Sequence, residues 1–165
     1  NVPRSDWFDE VQKVPEPRVL VMHDLDSPNP VGSFWGEVQS NIHRALGCVG
    51  TVTNGGVRDL DEVEKMGFHY FASTLLVSHA YIHLVDAAIP VEVGGLVVRP
   101  GDLLHGDEHG VMVIPGEIEL PELVTFIAKF LASEKTVIDY CKGPDFEVDQ
   151  VMELMRQHAE RTERR

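Results

Sequence analysis

Glu37, Arg58 and Asp59 have types and spacing that could do chemistry together. Glu37 follows Gly36, and Arg58-Asp59 come after twenty intervening residues. An arginine offers a planar fork of N–H donors that grips a carboxylate or an enolate through two parallel hydrogen bonds. Asp59 and Glu37 offer hard oxygens of the kind Mg²⁺ takes in small number while keeping several waters. A helix start supplies free backbone N–H groups and a positive dipole end, which suits a small carboxylate. The same residues also have a plain structural use. Asp59 with Glu62 three positions on has the form of a capping box. Glu37 suits the first turn of a helix, and Arg58 could pair with Asp61 at the surface. Residue types leave both accounts open.

The elements around these residues decide whether they can meet. "RVLVMHD" is a compact apolar run of strand type. From Gly36 the period becomes helical, with Val38, Ile42, Ala45 and Leu46 on one face of a helix ending at Gly47. "CVGTVT" reads as a buried strand, and "LDEVEKM" as a short helix ended by Gly67. In such α/β units both helix starts lie at the carboxyl ends of strands, on one edge of the sheet. Positions 37 and 58–59 are therefore expected to converge on one crevice.

The rest of the chain frames that unit. Residues 1–17 carry three prolines and read as an arm, and "LDSPNPVGSFW" reads as a loop with prolines at 28 and 30. "HYFAS" and "YIHLVD" read as strands. "IPVEVGGLVVRPGDLLHGDEHGVMVIP" reads as several short strands divided by turns. Residues 119–141 form a long amphipathic helix, and residues 145–165 a last one. The expected fold is a layered α/β domain over residues 18–140, with mixed sheets and a C-terminal helical extension over 141–165.

Composition limits the function classes. A chain of 165 residues can enclose one substantial core. A net charge of −13 disfavours a nucleic-acid partner, and the basic stretch "RQHAERTERR" reads as a solvated helix end. No apolar run approaches the roughly 20 residues that span a bilayer, and no signal pattern opens the chain. The first residue is Asn1, so a preceding segment is expected to be missing. Two cysteines form no framework, Cys48 reads as a buried thiol, and a reducing cytoplasm follows as the expected setting.

Other clusters read as structural. His79 and His83, and His105, Asp107 and His109, fall on strand and turn rather than on a zinc-binding helix. No GxGxxG, P-loop, HExxH or GxSxG motif occurs. Lys65 and Lys129 read as exposed helix residues, not Schiff-base lysines.

Two longer stretches carry a resemblance. "GEVQSNIHRALGCVGTVTNGGVRDLDEVEKMGF" followed by "PVEVGGLVVRPGDLLHGDEHGVMVIP" resembles the RraA-like family, over about Arg18 to Pro115. That family includes 4-hydroxy-4-methyl-2-oxoglutarate aldolases and the regulator of ribonuclease E activity, and its members are often labelled demethylmenaquinone methyltransferase. The resemblance implies a layered β/β/α, swivelling-domain-like fold. It also implies that Arg58 binds the pyruvate carboxylate and steadies the enolate. Asp59 would ligate Mg²⁺ or Mn²⁺, and Glu37 would hold metal-bound water. The backbone amides of Val38 and Gln39 would receive the substrate carboxylate. The implied reaction is metal-dependent cleavage of a 2-oxo acid to pyruvate, as aldolase or oxaloacetate decarboxylase. The regulator branch carries glycine where this chain has Glu37, so the acid favours the enzyme; a non-catalytic, protein-binding regulator is the alternative.

The resemblance further implies a homotrimer or a hexamer of trimers, with an acid contributed by a neighbouring subunit. Glu37 is one methylene longer than the aspartate of the aldolases, and Asn54 stands where many members carry aspartate. Trp35, Phe34 and His79 are the expected neighbours of the far end of the substrate. A methyl-donor loop after a first strand is not present.

Overall fold

A computed structural model describes residues 1–26 and 29–163; Pro28, expected in a loop, lies outside the described residues. The chain divides into two compact units, Asn1–Pro115 and Gly116–Arg165.

The first unit opens with a helix, not an arm: α1 spans Arg4–Lys13 and buries Trp7 and Val11. The prolines do not break it. Pro3 stands at its N-cap, while Pro15 and Pro17 lie beyond its end, where proline costs nothing. Trp7 packs at a tilt against Phe34 and His43, with ring centroids 5.6 and 4.8 Å apart.

Strand β1 (Arg18–Met22) pairs in parallel with β2 (Cys48–Thr53), and β2 pairs in parallel with β4 (His69–Phe71). Parallel neighbours require crossovers, which α2 (Glu37–Ala45) and α3 (Leu60–Lys65) supply. Two short strands that the sequence does not announce, β3 (Gly56–Val57) and β5 (Thr74–Leu75), pair in parallel beside this sheet. Bridges from Trp35 to Val57 and from Ser33 to His79 extend the contact. The core gathers Trp7, Val11, Phe34, Trp35, Cys48, Val57, Val63 and Phe68. The expected strand over "YIHLVD" does not form. Ile82 and Leu84 pack inward on the core, giving the period-2 pattern, but Val2 N–H to Leu84 C=O (2.8 Å) is the backbone bond that holds the segment.

The unit ends in two hairpins. β6 (Val91–Val93) and β7 (Leu96–Val98) turn through Gly94-Gly95, both at positive φ as a two-residue primed turn demands. β8 (Leu103–Asp107) and β9 (Gly110–Ile114) form the second. Its tip accounts for the histidines there: Asp107 accepts from the His109 backbone N–H at 2.8 Å and lies 3.6 Å from His105 Nε2.

The second unit is a helical hairpin of α4 (Leu120–Lys142) and α5 (Val148–Glu163). The expected boundary at 141 falls on the last turn of α4. That helix belongs with α5, which it meets through Ser133 Oγ and His158 Nδ1, 2.8 Å apart. No helix of the described residues is long and apolar enough to cross a membrane.

Helix α2 buries a more polar face than the one its apolar period marks, although Leu46 of that period packs on the core. Gln39, Ser40 and His43 are buried, while Val38 is 65% exposed. The buried polar atoms are largely paired: Ser40 Oγ lies 2.6 Å from the Tyr70 hydroxyl, and His43 Nδ1 lies 2.7 Å from the Gln39 carbonyl. Burial holds the His43 imidazole neutral, its pKa lowered to about 4, against a weaker opposing pull from the Gln39 carbonyl. The unfolded chain takes up that proton near pH 6.5. Stability is therefore full above pH 6.5 and falls as pH drops towards 4, by about 3 kcal/mol from this group. Urea unfolding at pH 7 and pH 4.5 checks this, and His43→Gln is expected to flatten the difference.

Candidate functional site

The carboxyl edge of the parallel sheet brings the predicted residues together. Val57 ends β3 beside Trp35, and the Arg58 N–H donates to the Trp35 carbonyl at 3.1 Å. The next residue, Asp59, sits at φ 59°, ψ 45°. That left-handed conformation is one aspartate and asparagine tolerate better than most residues. It turns the carboxylate away from its own helix, and Asp59 makes no side-chain cap to α3. The expected capping box is replaced by a cap across the sheet edge. Asp59 Oδ2 accepts from the backbone N–H of Glu37, the first residue of α2, at 2.9 Å. Asp59 Oδ1 accepts from Arg58 Nη1 at 3.2 Å. Arg58 thus pairs with Asp59 rather than with Asp61.

Gly36 makes this junction possible. Its φ of −161° is ordinary extended backbone, so freedom of conformation is not the reason for glycine. A Cβ there would stand 2.6 Å from Asp59 Oδ2 and 3.1 Å from both Cγ and Nε of Arg58. The two side chains lie directly over the glycine, and Arg58 Nε is buried with no partner among the described residues.

The start of α2 retains donors. Ser40 N–H makes the first bond of the helix, to the Gly36 carbonyl at 3.0 Å. The three amides before it have no acceptor within the helix. Asp59 takes the one at Glu37, which leaves those of Val38 and Gln39 without a helical acceptor. The Glu37 side chain is exposed at this helix start.

The donor set bears on a metal. No cluster of three or more His, Cys, Asp or Glu able to hold an ion occurs among the described residues. Asp59 keeps 27% of its side chain exposed and each of its oxygens has one protein donor, which leaves lone pairs free. One carboxylate oxygen with waters elsewhere fits Mg²⁺, which takes few protein ligands; it does not fit a zinc centre.

Several expected neighbours fall elsewhere. Trp35 and Phe34 are 1% and 8% exposed and belong to the core, not to a substrate surface. Cys48 is buried and its thiol is pushed up to about 11 by burial, partly offset by Arg18, so it is no nucleophile. The sequence reading missed Tyr70, whose hydroxyl meets Ser40 and which feels the charges of Asp59 and Arg58. It also missed the reason for Asn54. That side chain accepts from the Asp24 N–H at 2.6 Å and donates to the Asp24 carbonyl at 3.0 Å, clasping the ends of β1 and β2. An ionised aspartate there would accept the Asp24 N–H but could not donate to the Asp24 carbonyl.

Comparison with known proteins bears on the family and the fold. Protein DlpA of Legionella pneumophila is 25% identical over 147 residues, which are 79% of this chain and 23% of that protein. A putative 4-hydroxy-4-methyl-2-oxoglutarate aldolase 3 of Arabidopsis thaliana is 32% identical over 122 residues, 66% of this chain and 73% of that one. A crystal structure of an uncharacterised protein from Pseudomonas syringae pv. tomato matches with a TM-score of 0.70 at 23% identity, covering 92% of this chain and 69% of that one; it shows the shared fold. Against three curated relatives the chain spans only 23% to 44% of their length. Residues 4–113 match the family described as RraA-like, Aldolase/RraA, and with two-thirds of its length so matched, the chain belongs to the RraA-like family.

Proposed function

We propose that the junction of Arg58, Asp59 and the start of α2 is the 2-oxo acid site of a divalent-metal-dependent lyase that releases pyruvate. One observation carries the reading. The Asp59 carboxylate accepts from both the first amide of α2 and the Arg58 guanidinium, over a glycine that leaves room for both side chains. The substrate carboxylate lies against the Val38 and Gln39 amides and the Arg58 fork. Mg²⁺ or Mn²⁺, held by Asp59, supplies a Lewis acid for the keto oxygen. Cleavage of the carbon–carbon bond moves its electron pair into the enolate of pyruvate, whose charge Arg58 balances. Glu37 passes protons through water, from the hydroxyl of a retro-aldol substrate and back to the enolate carbon. With oxaloacetate the leaving group is carbon dioxide, and only the returning proton is needed.

The same reading proposes a homotrimer, or a hexamer of trimers, in a reducing cytoplasm, with a neighbour's acid completing the site. Exposed Val77, Tyr81, Val97 and Met112 on the first unit support a covered surface there. Light scattering at micromolar concentration tests the assembly, and a stable monomer overturns it.

Activity is tested with a panel of 2-oxo acids, oxaloacetate and 4-hydroxy-4-methyl-2-oxoglutarate among them, with Mg²⁺ and Mn²⁺. Pyruvate release that a chelator abolishes supports the lyase. Failure of every substrate favours the regulator reading, which the family's description also accommodates. Arg58→Lys keeps the charge but not the fork. Its kcat/KM is expected to fall about tenfold to a hundredfold at an unchanged melting temperature. A surface ion pair alone costs under about 1 kcal/mol and alters no rate, so unchanged turnover returns Arg58 to that role.

A further inference from the structure

Helix α4 carries two apolar stripes and its hairpin covers only one. The covered face includes Phe130 and Ser133, which meet His158 of α5 at 4.8 Å between ring centroids and at 2.8 Å by hydrogen bond. The other stripe is Leu120, Val124, Ile127, Leu131 and Ile138, which are 44% to 64% exposed. Their spacing follows alternating steps of four and three, with Glu134 at the remaining position. That is the repeat of a helix seam meeting another helix, and a single polar member sets register. Yet the fifty-residue unit contains no buried apolar side chain among its described residues; Ser133 is the buried residue there. A unit so small needs apolar burial from a partner.

We propose that the exposed stripe of α4 pairs, antiparallel, with the same stripe of a second copy of this chain. Charge selects both the occupant and the direction. Glu117, Glu119 and Glu122 crowd the start of the helix with no base among them, a net charge of −3, while Lys129, Lys135 and Lys142 lie further along with Glu134 and Asp139, a net charge of +1, and Asp139 is already paired with Lys135 at 2.9 Å. Antiparallel pairing sets the acidic start of one copy against the weakly positive later half of the other. Parallel pairing sets like ends together, which is unfavourable. The stripe runs from 120 to 138, so a two-fold axis passes between Ile127 and Leu131, and Leu120 meets Ile138 of the second copy. Two hairpins then make four helices around a shared core, an arrangement in which each helix has two apolar neighbours. This pairing does not depend on the lyase reading, and it doubles whatever assembly the first unit forms.

The full-length chain tests it. Light scattering is expected to show that Ile127→Glu with Leu131→Glu halves the particle mass, while Thr136→Glu, on the far side of α4, leaves it unchanged. Helix content by circular dichroism confirms that the variants fold. A monomeric wild type, or a mass unmoved by the stripe variant, means that the chain itself or a different protein covers the stripe, and overturns the proposal. Direction is read by disulfide trapping in a Cys141→Ser background. A chain with Leu120→Cys, mixed with one carrying Ile138→Cys, is expected to form mixed covalent dimers on oxidation, and neither chain alone is. Covalent dimers from either chain alone, or none in the mixture, overturn the antiparallel pairing.

Discussion

Asp59→Asn is expected to abolish pyruvate release while leaving the melting temperature nearly unchanged. Asparagine tolerates the left-handed backbone of this position, and its side-chain oxygen can still accept the Glu37 N–H. What disappears is the negative charge that a hard, hydrated Mg²⁺ requires, together with the contact to Arg58, worth under about 1 kcal/mol. Two further substitutions separate backbone from carboxylate. Asp59→Gly loses the cap on α2 but relaxes at φ 59°. Asp59→Ala loses the same cap and adds left-handed strain of about 1–2 kcal/mol. Alanine should therefore be the less stable of the two, by about 1 kcal/mol in urea unfolding, reversing their order in a helix interior. Both should be inactive. Full Mg²⁺-dependent activity in Asp59→Asn would leave Asp59 with the cap alone.

Gly36→Ala is expected to be as damaging without touching an ionisable group. The added methyl meets Asp59 Oδ2 at 2.6 Å and the Arg58 stem at 3.1 Å, so both side chains must move. Overfilling of this kind costs about 1–3 kcal/mol, and displacing a positioned group by about 1 Å can cost on the order of a hundredfold in rate. The measurements are the melting temperature and the pyruvate rate at saturating Mg²⁺. A variant with native rate would mean that Arg58 and Asp59 work elsewhere than over Gly36.

The convergence of Glu37 with Arg58-Asp59 was legible because strand–helix alternation fixes which sheet edge the helix starts share. Which helix Asp59 caps was not legible. The direction depends on a left-handed φ at a single aspartate, and the sequence around it, with Glu62 following, fits the ordinary cap equally well. The strands at 18–22 and 48–53 and the glycine-turned hairpins followed from apolar runs and turn chemistry. Helix α1 is hidden by the three prolines at its ends, although Trp7 and Val11 have the helical period between them. Helix α2 misled for a deeper reason: it buries a neutral histidine, a serine and a glutamine against aromatic rings and a tyrosine hydroxyl. A hydropathy period cannot register burial that hydrogen bonds make tolerable. The segment "YIHLVD" at 81–86 has the alternation of a strand but pairs with no strand among the described residues, and only tertiary structure decides that.

The clasp between Asn54 and Asp24 bears on how the molecule ages. An asparagine followed by glycine is the dipeptide most prone to deamidation, because the glycine nitrogen can close on the side-chain amide. Here both partners are engaged: the amide of Asn54 is held at both ends by Asp24, and the Gly55 N–H donates to Thr53 Oγ1 at 3.0 Å. Ring closure requires both to let go, so the reaction proceeds through opened forms of this turn. Once it occurs, the donor to the Asp24 carbonyl is gone and a carboxylate stands in its place, so the clasp keeps at most the bond from the Asp24 N–H. Chemical lifetime at this turn is thus set by how often the ends of β1 and β2 come apart, and each such event weakens the clasp for good.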